Sequence, residues 1–403
     1  MFEFVKKFSL LINKLNNEVI VTQQRKKLYF VLGNESADLD SIISSIAYAC
    51  LSQQLISPDE LNSLSTSSFP IYFPIIQIPK SDFSLRPECS YVFSECEFTE
   101  SDISQLLFLD DILPHLDKLS SNYDVNLILV DHNKLISPWS EKFNDKIDTI
   151  LDHHQDERLY LNIKCRQIEF VGSATSLVVL HFKDVWKKKI SRDDFRLAKL
   201  LLAPILVDTI LLDVSKERTS NKDKEAVQFL LDILNIPKSD QDFYTSNYFN
   251  AIQSAKFNIS HLSNIDLLRK DYKEWNLNNF NIGISSVNWS LEGWIQREDD
   301  NIDKLIDSFK YFKDEKKLDI FIIMLAYNHK NKGFQREFVF LSNKNKFIYE
   351  EFLQQLEVKL SLKPLFSNMD YIRFYHQESI NYSRKQIYIS IKDLLQQYPI
   401  NKI

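Results

Sequence analysis

The sequence predicts an α/β protein with a mostly parallel sheet in its first half and a second domain after it. Short apolar runs that end in polar or acidic residues alternate with helical patterns, which is typical of such sheets. The segment NIPKSDQDFY (235–244) combines Pro, Ser and charge and predicts a hinge. Residues 1–250 hold 27 Lys and Arg against 36 Asp and Glu, whereas residues 251–403 hold 22 against 19. Because 403 residues can form two cores, we expect domains at 1–237 and 245–403.

The composition excludes several classes of protein. A net charge of -6 argues against binding of nucleic acid or anionic membranes by bulk charge. Only five scattered glycines occur, where average usage gives about 28, so Gly-rich phosphate loops are excluded. Four irregularly spaced cysteines predict reduced core thiols rather than disulfides or a zinc finger. No run reaches the ~18 apolar residues of a membrane span.

The first residues predict a short amphipathic helix. Its apolar face consists of Phe2, Val5, Phe8, Leu11 and Ile12. The stretch lacks the uninterrupted apolar core of a signal peptide and the Arg-rich character of a transit peptide. We therefore expect a cytoplasmic protein.

Three strands can be placed in the first half. LYFVLG (28–33) is an apolar run, followed by NESADLD and then by helical spacing through SIISSIAYACL (41–51). NLILV (126–130) runs into DHN, and DTIL (148–151) runs into DHH. Each run has the length and composition of a buried strand that opens onto polar residues.

An apolar helix is predicted at RLAKLLLAPILVDTILL (196–212), broken at Pro204. Asp208 lies inside this stretch, between Val207 and Ile210. An ionised carboxylate in such surroundings is costly unless it is paired or binds a cation. We therefore expect Asp208 to face a metal cluster.

Polar side chains collect where the predicted strands end. These residues are Asn34, Asp38, Asp40, Asp131, Asp152, His153 and His154. Open α/β sheets bind ligands at the carboxyl ends of their strands. Because the local stretches contain almost no Lys or Arg, divalent cations are the favoured compensation for the crowded carboxylates, with His153 supplying an imidazole.

Each of these features also has a purely structural interpretation. Asp38 and Asp40 could serve as helix caps, and DHN is weak evidence by itself. GSATS (172–176) could offer backbone donors to phosphate or could cap a helix. On composition alone, SRKQ (383–386) favours a solvated turn, and the mixed charges around Lys273 are typical of an ordinary helix face. The joint occurrence of the acidic and histidine motifs in this order is more specific than any one of them.

Together these motifs resemble the four motifs of the DHH phosphoesterase superfamily. They are NxxxDxD at Asn34, Asp38 and Asp40, DHN at 131–133, DHH at 152–154, and Asp208 on its helix. GNESADLDS (33–41) resembles the yeast-type cytosolic exopolyphosphatases and the prune proteins, whereas the family II pyrophosphatases have His in place of Asn34. LRKDYKEW (268–275) and SRKQ (383–386) resemble the two basic motifs of the DHHA2 domain.

The resemblance implies an N-terminal DHH domain, a smaller C-terminal α/β DHHA2 domain and an active site in the cleft between them. It further implies a centre of two divalent ions held by Asn34, Asp38, Asp40, Asp131, His153 and Asp208, with Asp131 bridging both. His154, Lys273, Arg384 and Lys385 would bind substrate, and Asp131, His154, Arg384 and Lys385 would form the catalytic set. Asp152 and His132 would orient the ligands. The amide of Asn34 makes one site all-oxygen, which favours Mg²⁺, with Mn²⁺ or Co²⁺ as alternatives.

The expected function is a cytoplasmic, monomeric exopolyphosphatase that releases orthophosphate from the ends of inorganic polyphosphate. Neither nucleic acid nor a membrane is expected as a partner. One alternative is a hydrolase of pyrophosphate, short polyphosphates or nucleoside polyphosphates. A non-catalytic, prune-like interaction protein is a weaker alternative, because loss of activity should have removed ligands that are still present.

Overall fold

The structure, a computed structural model, describes residues 4–17, 26–54, 70–186, 191–260, 262–343, 352–366 and 371–396. The chain divides into two compact units, Met1–Asn258 and Ile259–Ile403. The segment 235–244, expected to be the hinge, belongs to the first unit, because the helix that begins there buries Tyr248 and Ile252 in the first core. The boundary between the two units therefore lies after the end of this helix.

The first unit is an α/β layer structure. Its helices are α1 (Phe4–Asn17), α2 (Leu39–Gln54), α3 (Pro87–Glu95), α4 (Glu100–Ile103), α5 (Leu109–Ile112), α6 (Leu116–Asn122), α7 (Trp139–Phe143), α8 (Ala174–Trp186), α9 (Arg192–Asp208), α10 (Asn221–Ile233) and α11 (Gln241–Phe257). Its strands are β1 (Lys27–Leu32), β2 (Ile71–Ile76), β3 (Leu107–Phe108), β4 (Asp124–Val130), β5 (Ile147–Asp152) and β6 (Cys165–Ile168). Short 3₁₀ turns lie at Lys80–Leu85, Leu113–His115 and Val214–Lys216.

The six strands pair in the order β3-β2-β1-β4-β5-β6, and every pair is parallel. The predicted parallel sheet is therefore confirmed. The strand order reverses between β1 and β4, so the loops after these two strands leave the sheet in opposite directions. A crevice at the carboxyl edge of the sheet is the expected consequence, and it lies where Asn34 and Asp131 follow their strands.

Helix α9 runs through Pro204, so the predicted break at this residue is wrong. A proline removes one backbone donor from a helix. Here the residues on both sides of Pro204 are buried, and their packing keeps the helix intact. The helix ends at Asp208, and Ile210, Leu211 and Leu212 then adopt left-handed backbone conformations with φ of 51°, 60° and 61°.

The second unit contains a mixed sheet. Its helices are α12 (Asn264–Lys270), α13 (Leu291–Arg297), α14 (Ile302–Glu315), α15 (Leu353–Leu360) and α16 (Arg384–Gln396). Its strands are β7 (Tyr272–Leu277), β8 (Phe280–Val287), β9 (Ile320–His329), β10 (Gly333–Ser342), β11 (Leu362–Pro364) and β12 (Ile372–Gln377). The strand order is β11-β12-β10-β9-β8-β7, with β8 and β9 parallel and the other neighbours antiparallel. This unit is the second α/β domain that the resemblance implied.

The predicted N-terminal helix is present as α1, which buries Phe4, Phe8, Leu11 and Ile12; Phe2 lies outside the described residues. The four cysteines carry free thiols, and all but Cys165 are buried. Across the described ranges, no helix combines the length and apolar character needed to span a bilayer.

Candidate active site

The loops after β1, β4 and β5 and the end of α9 surround one pocket of about 360 Å³ in the first unit. Its lining residues are Asp38, Asp40, Asp131, His153, His154, Phe170, Val171, Gly172, Asp208, Glu217 and Arg218. Five of the six predicted metal ligands thus line a single pocket, although they are spread from position 38 to position 208 of the chain. Asn34 lies beside this group, and its contacts are described below.

Asp131 follows β4 with a left-handed backbone (φ 62°), a conformation that Asp adopts more readily than most residues. Its Oδ2 accepts hydrogen bonds from Ser41 Oγ at 2.6 Å and from Asn34 Nδ2 at 2.8 Å. Its Oδ1 is buried, and no described residue offers it a donor in bonding geometry. Burial, with repulsion from Asp40, raises the pKa of Asp131 to about 7.

His153 faces two carboxylates. Its Nδ1 lies 3.0 Å from the carbonyl oxygen of Val171, and since a carbonyl can only accept, Nδ1 carries a hydrogen. Nε2 then points to Asp131 Oδ1 at 3.1 Å and to Asp40 Oδ2 at 3.9 Å. Burial disfavours the charged ring, but the contact with Asp131 and the charge of Asp40 outweigh burial and raise the pKa of His153 to about 10. The ring therefore either holds a second proton or offers its Nε2 lone pair to a cation.

Asp40 is held by the first residues of α8. Its carboxylate accepts from Ser173 Oγ (2.7 Å), Ala174 N (2.7 Å), Thr175 N (2.9 Å) and Thr175 Oγ1 (2.5 Å). The donors of GSATS (172–176), left open between phosphate binding and capping, are thus directed at a protein carboxylate. The positive end of the α8 dipole adds to this stabilisation.

Asp38 and Asp208 complete the acidic lining. Asp38 Oδ1 accepts from Ser41 N at 3.1 Å, so the residue also caps α2. Burial, followed by repulsion from Asp40, raises the pKa of Asp38. Burial and repulsion from Asp40, Asp38 and Asp131 raise the pKa of Asp208 well above its usual value. Among the described residues that line the pocket, Arg218 is the one Lys or Arg beside these carboxylates.

Asn34 contributes a donor to Asp131. Its Nδ2 bonds to the Asp131 carboxylate, and its Oδ1 accepts from Ser36 N at 2.9 Å. The amide oxygen, which the resemblance implied as a metal ligand, is therefore engaged by the backbone of its own loop. In this arrangement Asn34 Nδ2 holds the Asp131 carboxylate, and its Oδ1 keeps a second lone pair beside the bond from Ser36.

Asp152 organises the DHH segment. It is fully buried and accepts from His153 N (2.8 Å), His154 N (3.2 Å), His154 Nδ1 (2.8 Å) and Asn133 Nδ2. Burial alone would raise its pKa, but the hydrogen bonds from His154 and Asn133 dominate and lower the pKa of Asp152. The bond to Asp152 raises the pKa of His154 and leaves its Nε2 directed away from the carboxylate. His132 Nδ1 likewise lies 3.0 Å from Val130 O.

The donor atoms that line the pocket are of the kinds that bind divalent cations. Candidate ligand atoms of Asp131, His153 and His154 lie within 4.8 Å of one another. The buried Oδ1 of Asp131 lacks a donor in bonding geometry among the described residues, and burial together with mutual repulsion raises the pKa values of Asp38, Asp131 and Asp208. A cation would relieve this repulsion as protons do, and oxygen donors with one imidazole suit Mg²⁺ or Mn²⁺.

The predicted basic residues lie in the second unit, where Lys273 and Arg384 line a pocket of about 590 Å³ together with Arg336. Lys273 is exposed and has no ion-pair or hydrogen-bond partner among the described residues. Arg384 Nη1 contacts Asp271 at both its carbonyl (2.8 Å) and its carboxylate (2.6 Å). The side chain of Lys385 lies outside the described part of the chain.

Sequence reasoning missed four residues that the structure places in these pockets or against their carboxylates. Ser41 and Thr175 bond to Asp131 and Asp40, whereas Arg218 and Arg336 line the two pockets. A hydroxyl that reaches a distant carboxylate leaves no local pattern. Lys216 and Arg218 stand close together in KERTS (216–220), and nothing in this short stretch indicates that only Arg218 reaches the pocket.

Comparisons with known proteins identify the two domains. Models for the N-terminal domain of the DHH family and for the DHHA2 domain match residues 29–205 and 250–394. A Schizosaccharomyces pombe protein named "Putative exopolyphosphatase" is 33% identical over 318 residues, covering 77% of this chain and 75% of that protein. "Exopolyphosphatase PRUNE1" of Rattus norvegicus is 26% identical over 381 residues, covering 93% and 77%.

Two further relatives are named as pyrophosphatases. A "Probable manganese-dependent inorganic pyrophosphatase" of Lactobacillus gasseri is 24% identical over 262 residues, covering 64% of this chain and 69% of that protein. The crystal structure of a "putative family II inorganic pyrophosphatase" from Methanococcus jannaschii matches with a TM-score of 0.52 at 18% identity and covers 91% of this chain and 99% of that one. The fold is therefore shared with this structure. On these matches the chain belongs to the DHH family and carries a C-terminal DHHA2 domain.

Proposed function

We propose that this protein is a metal-dependent exopolyphosphatase that hydrolyses the terminal phosphoanhydride bond of inorganic polyphosphate and releases orthophosphate. Its relatives are named as exopolyphosphatases and pyrophosphatases, and as a member of their family the chain is a hydrolase of acid anhydrides. The observation that carries the proposal is the pocket of about 360 Å³ at the carboxyl edge of the parallel sheet, where Asp131 Oδ1 lies 3.1 Å from His153 Nε2 among four further carboxylates.

In this proposal Asp131, His153, Asp40, Asp38 and Asp208 hold the divalent cations. Bound divalent cations supply Lewis acidity and a nucleophilic water at neutral pH. Asn34 and Ser41 keep Asp131 in place through its Oδ2, so that Oδ1 stays available. Asp40 is fixed by α8 before any ligand arrives, which reduces reorganisation during the reaction.

His154 supplies the mobile proton. Its Nδ1 is held by Asp152 at 2.8 Å, and that bond raises the pKa of His154. With Nδ1 held by Asp152, Nε2 is the ring atom left to face substrate, and in the protonated ring it donates a hydrogen bond to a phosphoryl oxygen as charge develops there. His154 is half-exposed, so that the substrate can reach it.

The second domain supplies phosphate-binding cations. Lys273, which has no ion partner among the described residues, binds non-bridging oxygens as a point charge. Arg384 exchanges its contact with Asp271 for the fork-like geometry of a phosphoryl group. Lys385 follows Arg384 and is assigned the same role from the SRKQ motif.

The proposal is tested by measuring orthophosphate release from long-chain polyphosphate by the purified protein with Mg²⁺, Mn²⁺ or Co²⁺. Asp131→Asn should lower kcat/KM by roughly 10²–10³-fold or more, because Asn keeps the size and the left-handed backbone but removes the charge. The exposed Asp145→Asn is the matched control and should retain activity. Internal fragments as the main product, or full activity after EDTA treatment, would contradict the proposal.

Pyrophosphate is the second candidate substrate. The named manganese-dependent pyrophosphatase of Lactobacillus gasseri is the observation that favours it. Rates on pyrophosphate, tripolyphosphate and long polymer at equal concentrations of terminal phosphate decide between the two. A higher kcat/KM on pyrophosphate than on the polymer would replace exopolyphosphatase by pyrophosphatase as the function.

A further inference from the structure

Arg218 is the only Lys or Arg among the described residues that line the pocket of the candidate active site. The same lining carries five carboxylates, on Asp38, Asp40, Asp131, Asp208 and Glu217, and two imidazoles. A polyphosphate chain that enters this pocket meets strong repulsion from any carboxylate charge that bound cations leave uncompensated. A guanidinium on the pocket wall opposes this repulsion directly.

The guanidinium of Arg218 is not committed to the fold. Arg218 is exposed, and it makes no side-chain hydrogen bond or ion pair with any other described residue. Several other arginines of the first unit are engaged by the fold: Arg166 pairs with Asp156, and Arg192 pairs with Glu97 at 2.6 Å. All five N–H donors of Arg218 are therefore available to a ligand.

The backbone beneath Arg218 is held firmly in place. A Cβ at Gly172 would collide with the carbonyl oxygen of Arg218 and with the methyl group of Thr209, so only glycine allows the two segments to meet. Thr219 Oγ1 lies 3.4 Å from Thr209 O, and Ser220 caps α10. The start of the side chain is thus fixed beside the end of α9, which bears Asp208, whereas its guanidinium can move.

We propose that Arg218 binds the non-bridging oxygens of a substrate phosphoryl group in this pocket and is a substrate-positioning residue supplied by the first domain. The proposal rests on the function proposed above, in which a phosphoanhydride enters the pocket. A guanidinium fork matches two phosphoryl oxygens, and such charge-assisted contacts are roughly twice as strong as neutral hydrogen bonds. Arg218 thereby adds to the cations of the second domain a contact close to the reacting phosphorus.

The kinetic test compares Arg218→Ala, Arg218→Lys and the control Lys216→Ala. Lys216 lies two positions away on the same loop, is exposed and is absent from the pocket lining, so its loss changes the net charge equally. Arg218→Ala should raise KM for polyphosphate about 10–100-fold with a smaller change in kcat. Arg218→Lys should recover part of this loss, and Lys216→Ala should resemble the wild type. Equal KM values for all three variants and the wild type would overturn the proposal.

A binding test keeps this inference separate from the proposed function. Calorimetry measures the Kd of Mn²⁺ for each variant, and then the Kd of inorganic phosphate in the presence of Mn²⁺. We expect Arg218→Ala to bind Mn²⁺ as tightly as the wild type and phosphate about 10-fold more weakly. If the wild type hydrolyses no polyphosphate, the function fails, yet the phosphate comparison still decides the role of Arg218. Unchanged phosphate affinity in Arg218→Ala would refute that role.

Discussion

Asp131 combines a left-handed backbone, a satisfied Oδ2 and a buried Oδ1 without a donor in bonding geometry among the described residues. The backbone conformation turns the carboxylate at the end of β4 into the pocket, and Ser41 and Asn34 prevent its rotation. Such an arrangement costs stability, because burial and repulsion from Asp40 disfavour the charged form of the Asp131 carboxylate. Binding of a cation explains why this cost is tolerated.

This cost predicts an unusual dependence of stability on pH in EDTA-treated protein. The pKa of Asp131 rises from 3.8 to about 7 and that of His153 from 6.5 to about 10, so the folded chain binds more protons than the unfolded chain. Stability should therefore fall as pH rises, through Asp131 between about pH 4 and 7 and through His153 between about 6.5 and 10. We expect a Tm decrease of roughly 5 °C between about pH 5 and 8.

Thermal denaturation in EDTA and in MnCl₂ measures this effect. Bound Mn²⁺ should displace the extra protons, so the rise in Tm that it causes should be larger at pH 8 than at pH 5.5. Asp131→Asn in EDTA serves as the control and should lack the part of the decrease below pH 7. If the Tm of the wild type in EDTA rises between about pH 5 and 8, the prediction is wrong, because Asp131 and His153 then do not determine how stability depends on pH.

A substitution at Asp208 should have opposite effects on the stability of the metal-free protein and on its binding of cations. Its carboxylate faces Asp40, Asp38 and Asp131, and this repulsion together with burial raises its pKa. Asp208→Asn removes this ionisable carboxyl group and its repulsion of the neighbouring carboxylates, so we expect the EDTA-treated variant to melt about 2–4 °C higher than the wild type at pH 7.5. Stabilisation by Mn²⁺ and phosphate release should both decrease strongly.

The exposed Asp184→Asn, on α8, provides the comparison and should change neither Tm nor Mn²⁺ binding. If Asp208→Asn melts well below the wild type in EDTA, the carboxylate stabilises the fold, and the prediction that its repulsion destabilises the metal-free protein is wrong. If the variant binds Mn²⁺ with unchanged affinity, Asp208 is not a ligand.

The sequence allowed the positions of these residues to be predicted but not their hydrogen bonds. Apolar runs that end in polar residues locate strand ends, so Asp131 and His153 could be expected at one edge of the sheet. A motif does not say which atom of a side chain faces a neighbour. The amide orientation of Asn34 depends on the backbone of Ser36, and the partners of Asp40 come from α8, more than a hundred residues later.

At the scale of the element, α9 shows why the predicted break at Pro204 did not occur. Proline removes one hydrogen bond, but the flanking leucines and isoleucine are buried, and packing against the core exceeds that loss. The helix ends four residues later in a turn of non-glycine residues with positive φ. This left-handed turn, Ile210–Leu212, could not be read from the sequence because it contains neither Gly nor Asn.

Relief of backbone strain in the left-handed turn should stabilise the protein. Ile210 has φ of 51°, and its side chain is only half-buried. Asn adopts this conformation more easily than a β-branched residue, so Ile210→Asn should raise the free energy of unfolding by about 1 kcal/mol. Ile210→Val keeps the branch and should not increase stability. Urea denaturation measures both variants, and a loss of more than about 1 kcal/mol in Ile210→Asn would mean that side-chain packing dominates there.

At the scale of the whole molecule, charge is divided between the two parts of the chain. Residues 1–250 carry nine more acidic than basic residues, and residues 251–403 carry three more basic than acidic residues. A polyanion is therefore repelled by the part that bears the candidate active site unless cations are bound there. In the second part, Lys273, Arg336 and Arg384 line one pocket and provide local attraction.

This division predicts that Lys273 acts mainly on the affinity for long substrates. Lys273 is exposed and has no ion partner among the described residues, so its full charge is available to phosphate. Lys273→Gln should raise KM for long polyphosphate by about 5–10-fold and make KM less sensitive to KCl between about 50 and 300 mM. Lys330→Gln, exposed between β9 and β10 and absent from that pocket, removes the same charge as the control. If both variants raise KM equally, net charge rather than the pocket determines affinity.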